Sequence, residues 1–406
     1  MAGKAMIAIM AENSILFISL NFWQTKINIF APNPKKVIIL RQLNKTTMKK
    51  ILTFAASALL VIAVNAAPKY VYTEASDLNL IGKIIENTSN PYHRVDTVKY
   101  KGFNEAENVR IRCSSGLAVL FRTDSRSICL KPEYGYTSMA AHTTGVSLRG
   151  YDLYIKKDGK WLYAASVAPA YDKLDKEVPL INSMPEGVKE CMLYLPIYSE
   201  LYSLGIGVEE GSSIEALESP FRHRVGIFGS SFTHGVSTSR AGMSYPMQLM
   251  RWTGIQFLNL GVSGNCKLQP HFADVLCDAD VDALVFDAFS NPSAQMIQER
   301  LFPFIEQIQK AHPDIPLIFQ QTIYRERRNF NGTVEKKESA KQQLAEKLMK
   351  EACKKYRNVY FIQTNAADEL HETSVDGTHP GDYGYTLWAR SIQKPLLKIL
   401  KKYGIR

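Results

Sequence analysis

Val225-Gly226-Ile227-Phe228-Gly229-Ser230-Ser231-Phe232-Thr233-His234-Gly235 is a compact apolar run that breaks at a glycine into a serine-rich turn. Runs of the same kind recur at residues 257–260, 283–286, 316–320 and 359–362, each followed by polar or Gly-rich residues and then a helical pattern. Five buried strands with helical crossovers predict an α/β fold with a parallel, doubly wound sheet. Helices are expected over residues 244–252, 294–310, 335–356 and 383–402, with bends at Pro303 and Pro395.

Upstream the period changes. Between residues 70 and 218, short apolar or alternating runs (109–113, 117–122, 127–130, 146–148, 153–155, 161–164, 191–195 and 203–208) are separated by turn residues, which predicts an all-β sandwich. Lys157-Asp158-Gly159-Lys160 is a two-residue hairpin signal in which Gly159 supplies positive φ. Residues 208–220 form a short polar joint, so a β half over 68–218 and an α/β half over 219–406 are expected to sit against each other.

The segment from Met48-Lys49-Lys50 to Asn65-Ala66-Ala67 has a basic start, an apolar run and small residues at its end, the pattern of a secretory signal peptide over 48–66. Residues 1–47 are then read as a mis-called upstream extension, since export signals act from the N-terminus. A membrane anchor over 6–20 is the weaker alternative, because Glu12 and Asn13 interrupt a run shorter than the ~20 apolar residues of a span. Removing residues 1–66 takes away eight basic residues and one acidic residue and lowers the formal charge from +10 to +3. A nucleic-acid partner therefore loses its main support, and an exported protein, periplasmic or extracellular and without stable membrane insertion of the mature chain, is expected. The six cysteines form no zinc-binding spacing. Neither a metal nor a cofactor is expected, and a Cys113–Cys129 disulfide and buried free thiols are equally open.

In an open parallel sheet, ligands bind beyond the carboxyl ends of the strands. Ser231 falls three residues after the first strand. After the fifth strand, Asp376-Gly377-Thr378-His379 puts a carboxylate and an imidazole three residues apart, close enough for Asp376 to hold Nδ1–H while Nε2 takes a serine proton. Acyl transfer also needs donors for a developing oxyanion. The Ser231 N–H, the Gly264 N–H after the second strand and the Asn291 side chain after the third are candidates. Taken singly, each has a plainer reading as a cap or turn residue; successive strand ends supplying all of them point to serine-dependent ester hydrolysis.

These segments resemble the four blocks of the SGNH, or GDSL-type, hydrolases, with Ser231, Gly264, Asn291 and the Asp376/His379 pair at the block positions. The resemblance implies a flavodoxin-like three-layer α/β/α domain and metal-free ester hydrolysis. Gly150-Tyr151-Asp152-Leu153-Tyr154 and Tyr194-Leu195-Pro196-Ile197-Tyr198 resemble the GxDLY-type, jelly-roll-like β-sandwich that precedes some of these enzymes, which implies O-acetyl esters on carbohydrate as substrate. The chain departs from the pattern at Ser230 and Phe232, where the first block has Asp and Leu, and at Phe289, where the third block has Gly.

His234 reads as structural and His371 as a solvated loop residue. Arg325, Arg327 and Arg328 are either solvated or face an anionic substrate. Tyr134, Tyr136, Tyr151 and Trp161 are mostly core, with stacking on sugar rings as the functional alternative. Two competing functions remain. A glycan-binding protein with a vestigial hydrolase half is disfavoured by the intact Ser231, Asp376 and His379, and a long-chain lipase or thioesterase by the polar, Arg-rich stretch over 322–336.

Overall fold

The computed structural model describes residues 4–11, 14–21, 26–30 and 69–406, which fall into two units divided at Pro68. In the first, β1 (Lys4–Ala11), β2 (Ser14–Asn21) and β3 (Lys26–Phe30) pair in that order, antiparallel. The expected signal peptide lies outside the described residues. Among those residues no helix is long and apolar enough to cross a membrane.

The second unit opens with two antiparallel sheets. One contains β4 (Tyr70–Glu74), β7 (Ile128–Thr137), β10 (Val178–Ile181) and β12 (Ser199–Glu209) in the order β10-β7-β12-β4. The other contains β5 (Asn79–Ile81), β6 (Ala118–Thr123), β8 (Tyr151–Lys157), β9 (Lys160–Val167), β11 (Lys189–Tyr194) and β13 (Ile214–Ala216), ordered β13-β6-β11-β8-β9 with β5 also on β6. Val119, Phe121, Leu130, Leu193 and Ile206 belong to the core of this half. Because side chains alternate along a strand, Ala118 and Leu120 of β6 and Met192 and Tyr194 of β11 face the other way. They join a second core with Val225, Ile227, Phe257 and Trp388. The middle of this sheet, at β6 and β11, is therefore buried on both faces.

The turn at residues 157–160 is the expected hairpin, with Lys157 opposite Lys160 and positive φ at Asp158 (51°) and Gly159 (74°). Two expected strands are helices. Residues 109–113 run through the end of α1 (Glu105–Arg112), which starts at a reciprocal cap between Asn104 and Glu107. Residues 146–148 lie in α2 (Gly145–Arg149), capped by Thr144.

The second half carries β14 (Arg224–Gly229), β15 (Gln256–Gly261), β16 (Ala283–Asp287), β17 (Leu317–Gln320) and β18 (Val359–Ile362). They are all parallel, in the order β15-β14-β16-β17-β18. The helices are α3 (Ser231–His234), α4 (Tyr245–Thr253), α5 (Pro270–Cys277), α6 (Ala294–Ala311), α7 (Gly332–Lys355) and α8 (Asp382–Leu400). On one face of the sheet, Met247 and Leu249 of α4 and Trp388 and Ile392 of α8 cover Ile227 and Val285. On the other, Phe272 of α5, Ile305 of α6 and Leu348 of α7 cover Phe228, Leu258 and Phe286. This is a three-layer α/β/α sandwich. α6 and α8 continue without interruption through Pro303 and Pro395. All six cysteines are unpaired, so Cys113 and Cys129 form no disulfide.

Candidate active site

At the carboxyl end of β14 the chain turns at once into α3. Ser230 is extended and caps that helix, its Oγ accepting from Phe232 N–H (3.1 Å). Ser231 follows as the first helical residue and is 9% exposed. The turn is held from below by Asp287 at the end of β16, whose Oδ2 accepts from Ser230 N–H (3.0 Å), Ser230 Oγ (2.7 Å) and Thr233 Oγ1 (3.0 Å). Oδ1 accepts from Ser290 Oγ (2.9 Å). Burial pushes the Asp287 carboxyl up, and the donors from Ser230, Ser290 and Thr233 oppose that shift. Sequence reading missed Asp287, although a lone acid ending an otherwise apolar strand was its visible signal. The loop also needs Gly261, since a Cβ there would sit 2.1 Å from the His234 backbone nitrogen.

Ser231 Oγ lies 3.0 Å from His379 Nε2, and His379 Nδ1 lies 2.8 Å from Asp376 Oδ2. Asp376 Oδ1 accepts from the Thr378 and His379 N–H groups at 2.9 and 2.8 Å, so one carboxylate fixes both the turn and the ring. Burial raises the Asp376 carboxyl, but the His379 ring and N–H together bring it down to about 2. Burial pushes His379 below its ordinary 6.5; Asp376 pulls it up, and His142 and Arg325 push it further down. The ring is therefore neutral near pH 7, with Nδ1–H toward the carboxylate and Nε2 free to accept. Such a line lets the hydroxyl lose its proton as it attacks a carbonyl carbon.

A cavity of about 450 Å³ opens beside Ser231, lined by His379, Asn291 and Arg325 among others. Asn291 Oδ1 accepts from Cys266 N–H (3.3 Å), which leaves its amide hydrogens for the cavity. Phe289, two residues earlier, turns its ring into the core against Phe319 and Phe361, so the side chain at this family-glycine position stays clear of the site. Gly264 sits in an exposed turn at φ 74° and does not line the cavity; its loop reaches the cavity wall through Cys266 and Asn291.

His234 is fully buried, donates through Nε2–H to Ile197 O (2.8 Å) and stacks on Tyr198 at 4.3 Å. Burial drives it well below 6.5, so it is a neutral seam residue. His371 is half-buried against Tyr324 rather than solvated. The arginine cluster divides: Arg327 is exposed, Arg328 is buried and held by Glu335 and Gln342, and Arg325 faces the cavity. Of the aromatics, Tyr151 is core and Tyr136 is exposed.

The β half reaches the site. His142, which sequence reading passed over, meets His379 edge-on at 5.4 Å. A latch locks the halves nearby: Asp152 accepts from Arg240 Nη1 (3.0 and 2.8 Å) and from Gly242 N–H (2.8 Å). The Arg251 guanidinium lies 4.2 Å from the Tyr154 ring centroid. The Gly150–Tyr154 and Tyr194–Tyr198 motifs thus act at the seam.

Comparison with known proteins agrees with this architecture. The model of the GDSL-like lipase/acylhydrolase family matches residues 222–397, and the GxDLY model, the N-terminus of SGNH-hydrolase-type esterases, matches residues 69–214. No curated protein matches the sequence. A structure from Bacteroides ovatus ATCC 8483, described as a GDSL-like lipase, is 37% identical, with 82% of this chain and 98% of that chain covered and a TM-score of 0.79. Two more distant structures share the fold. The salicylyl-acyltransferase SsfX3 of a tetracycline biosynthetic pathway is 19% identical, with 84% and 100% covered and a TM-score of 0.66. A family two carbohydrate esterase from Clostridium thermocellum is 14% identical, with 72% and 94% covered and a TM-score of 0.53. With both family models matched in sequence and the Bacteroides ovatus chain aligned over nearly its full length, the chain belongs to the GDSL-like lipase/acylhydrolase family and is a carboxylic ester hydrolase with a GxDLY-type N-terminal half.

Proposed function

We propose that this enzyme is exported and removes O-acetyl groups from carbohydrate by a Ser231-His379-Asp376 mechanism. The observation that carries the reading is the unbroken line of contacts at 3.0 and 2.8 Å from Ser231 Oγ through the imidazole to Asp376. As Oγ bonds to the acyl carbon, its proton passes to Nε2 and the carbonyl oxygen becomes an oxyanion. The Ser231 N–H and the Asn291 amide stabilise that charge, each well-placed donor contributing roughly 2.7 to 4 kcal/mol, while Gly264, outside the cavity, is left without that role. His379 returns the proton to the departing sugar oxygen. It then activates a water that releases acetate and restores the serine.

Two features support a short acyl group on a hydrophilic alcohol. The cavity walls are more polar than apolar: Lys267, Asn291, Ser293 and Arg325 stand beside Phe232, Pro292 and Met296. The fold is also shared with a carbohydrate esterase from Clostridium thermocellum. Ser231→Ala is expected to lower acetate release from 4-nitrophenyl acetate by at least about a thousandfold; hydrolysis at the parent rate by the folded variant would sink the assignment. Export is tested by locating the precursor's cleavage site in periplasmic or culture fractions by N-terminal sequencing. An uncleaved cytoplasmic product would refute it.

A further inference from the structure

The wall of the cavity facing Ser231 carries four cations, Lys267, Arg325, Lys337 and Lys341, against one carboxylate, Glu338. Two of the cations share that carboxylate: Arg325 Nη1 is 3.5 Å from Glu338 Oε1, and Lys341 Nζ is 2.7 Å from Oε2. The Ser290 carbonyl accepts from both as well, at 2.7 Å from Arg325 Nη2 and 3.2 Å from Lys341 Nζ. Lys341 and Glu338 are almost wholly buried, with side-chain exposures of 5% and 8%. The trio therefore carries one uncompensated positive charge in a largely buried place, a costly arrangement unless a further anion completes it. Arg325 Nε, also buried, has no hydrogen-bond partner. The same guanidinium lies 5.6 Å from the ring centroid of Phe232, the residue next to Ser231.

We infer that the substrate carries a carboxylate close to the scissile ester, and that Arg325 and Lys341 recognise it while Lys267 and Lys337 draw it in. Guanidinium forks bind carboxylates with directional, charge-assisted bonds, and a cleft lined by one sign of charge raises the local concentration of the opposite sign. Within the proposed function, on which this inference rests, the substrate class becomes acetyl esters of acidic sugars rather than of neutral ones. A carboxylate on the acyl side, as in a half-ester of a dicarboxylic acid, would satisfy the same cations and is separated from the first case by the choice of probes.

The test measures kcat/KM on acetylated oligogalacturonides and acetylated xylo-oligosaccharides for the alcohol side, and on 4-nitrophenyl hemisuccinate and 4-nitrophenyl butyrate for the acyl side. The expected result is a preference of about tenfold or more for the acidic member of the sugar pair at low salt, expressed mainly in KM and falling as ionic strength rises. Arg325→Gln and Lys341→Gln are expected to raise KM for the acidic sugar and bring the ratio near one. The salt series on the unaltered enzyme gives the same answer without depending on the folding of any variant. Equal kcat/KM within both pairs at low salt would overturn the inference, and a preference confined to the hemisuccinate pair would overturn the assignment to acidic sugars in favour of an acyl-side carboxylate. Absence of hydrolysis on every probe, 4-nitrophenyl acetate included, would instead overturn the reading of Ser231 as nucleophile.

Discussion

His379 must be neutral to take a proton, and its surroundings hold it below 6.5. Activity on a neutral acetate ester should therefore persist as pH falls past 6.5 and decline only as pH passes the lowered value, which a kcat/KM–pH profile will show. His142 is one of the groups pushing His379 down. His142→Phe is accordingly expected to move the acidic limb of that profile upward, and an unmoved limb would mean that the edge-on contact carries no electrostatic influence. Ser231 was legible because it stands in a glycine-flanked turn just past an apolar run, and Asp376 and His379 because they sit three residues apart around a glycine in the loop after the last strand. His142 and Lys341 were not. The one lies in a polar loop of the other half and the other on a highly charged helix, and only tertiary packing brings them to the site.

At the level of elements, the Ser231 turn joins β14 to α3 and hangs from the end of β16 by the three donors on Asp287 Oδ2. Asp287→Asn puts an amide where only acceptors satisfy those donors. The expected loss is about 1 to 3 kcal/mol of stability by urea unfolding. A fall in kcat of about tenfold or more should accompany it as Ser231 shifts relative to His379, with KM nearly unchanged. A variant with parental kcat would show that α3 holds its position without the carboxylate. The five parallel strands were readable because each is a continuous apolar run, as sheets covered on both faces require. Residues 109–113 misled for a related reason: α1 is polar and buries only Glu107 and Ile111, so its helical period is faint. Its capping pair, Asn104 and Glu107, was the better guide. β10 and β13 are edge strands of four and three residues, too short to show a period.

Across the whole molecule, the seam is fixed by charge as well as by apolar contact. Arg94 of the β half is fully buried and donates to the carbonyls of Cys113, Arg110, Asn259 and Gly261, tying the end of α1 to β15; burial draws it down to about 10. Asp152→Ala strands Arg240 in a largely buried place, and such breaks cost about 3 to 5 kcal/mol. A single, earlier thermal transition for the whole unit is expected, whereas two separate transitions would show that the halves unfold independently. His234, at the same seam, remains neutral in the folded chain well below 6.5, while an unfolded chain takes up its proton near 6.5. Stability should thus fall as pH drops through 6.5, by up to about 1.4 kcal/mol per pH unit from this residue. Urea titrations at successive pH values check the slope, and His234→Gln should reduce it.

β6 and β11 have an interior on each side, one inside the sandwich and one against the catalytic sheet. A strand so placed has no tolerant face on which substitutions can accumulate, and its partner has no version of itself meant for water. The upstream half therefore cannot be shuffled between genes like a bead on a string. A recombination event that carried the Ser231 half without it would also have to rebuild the surface it covered.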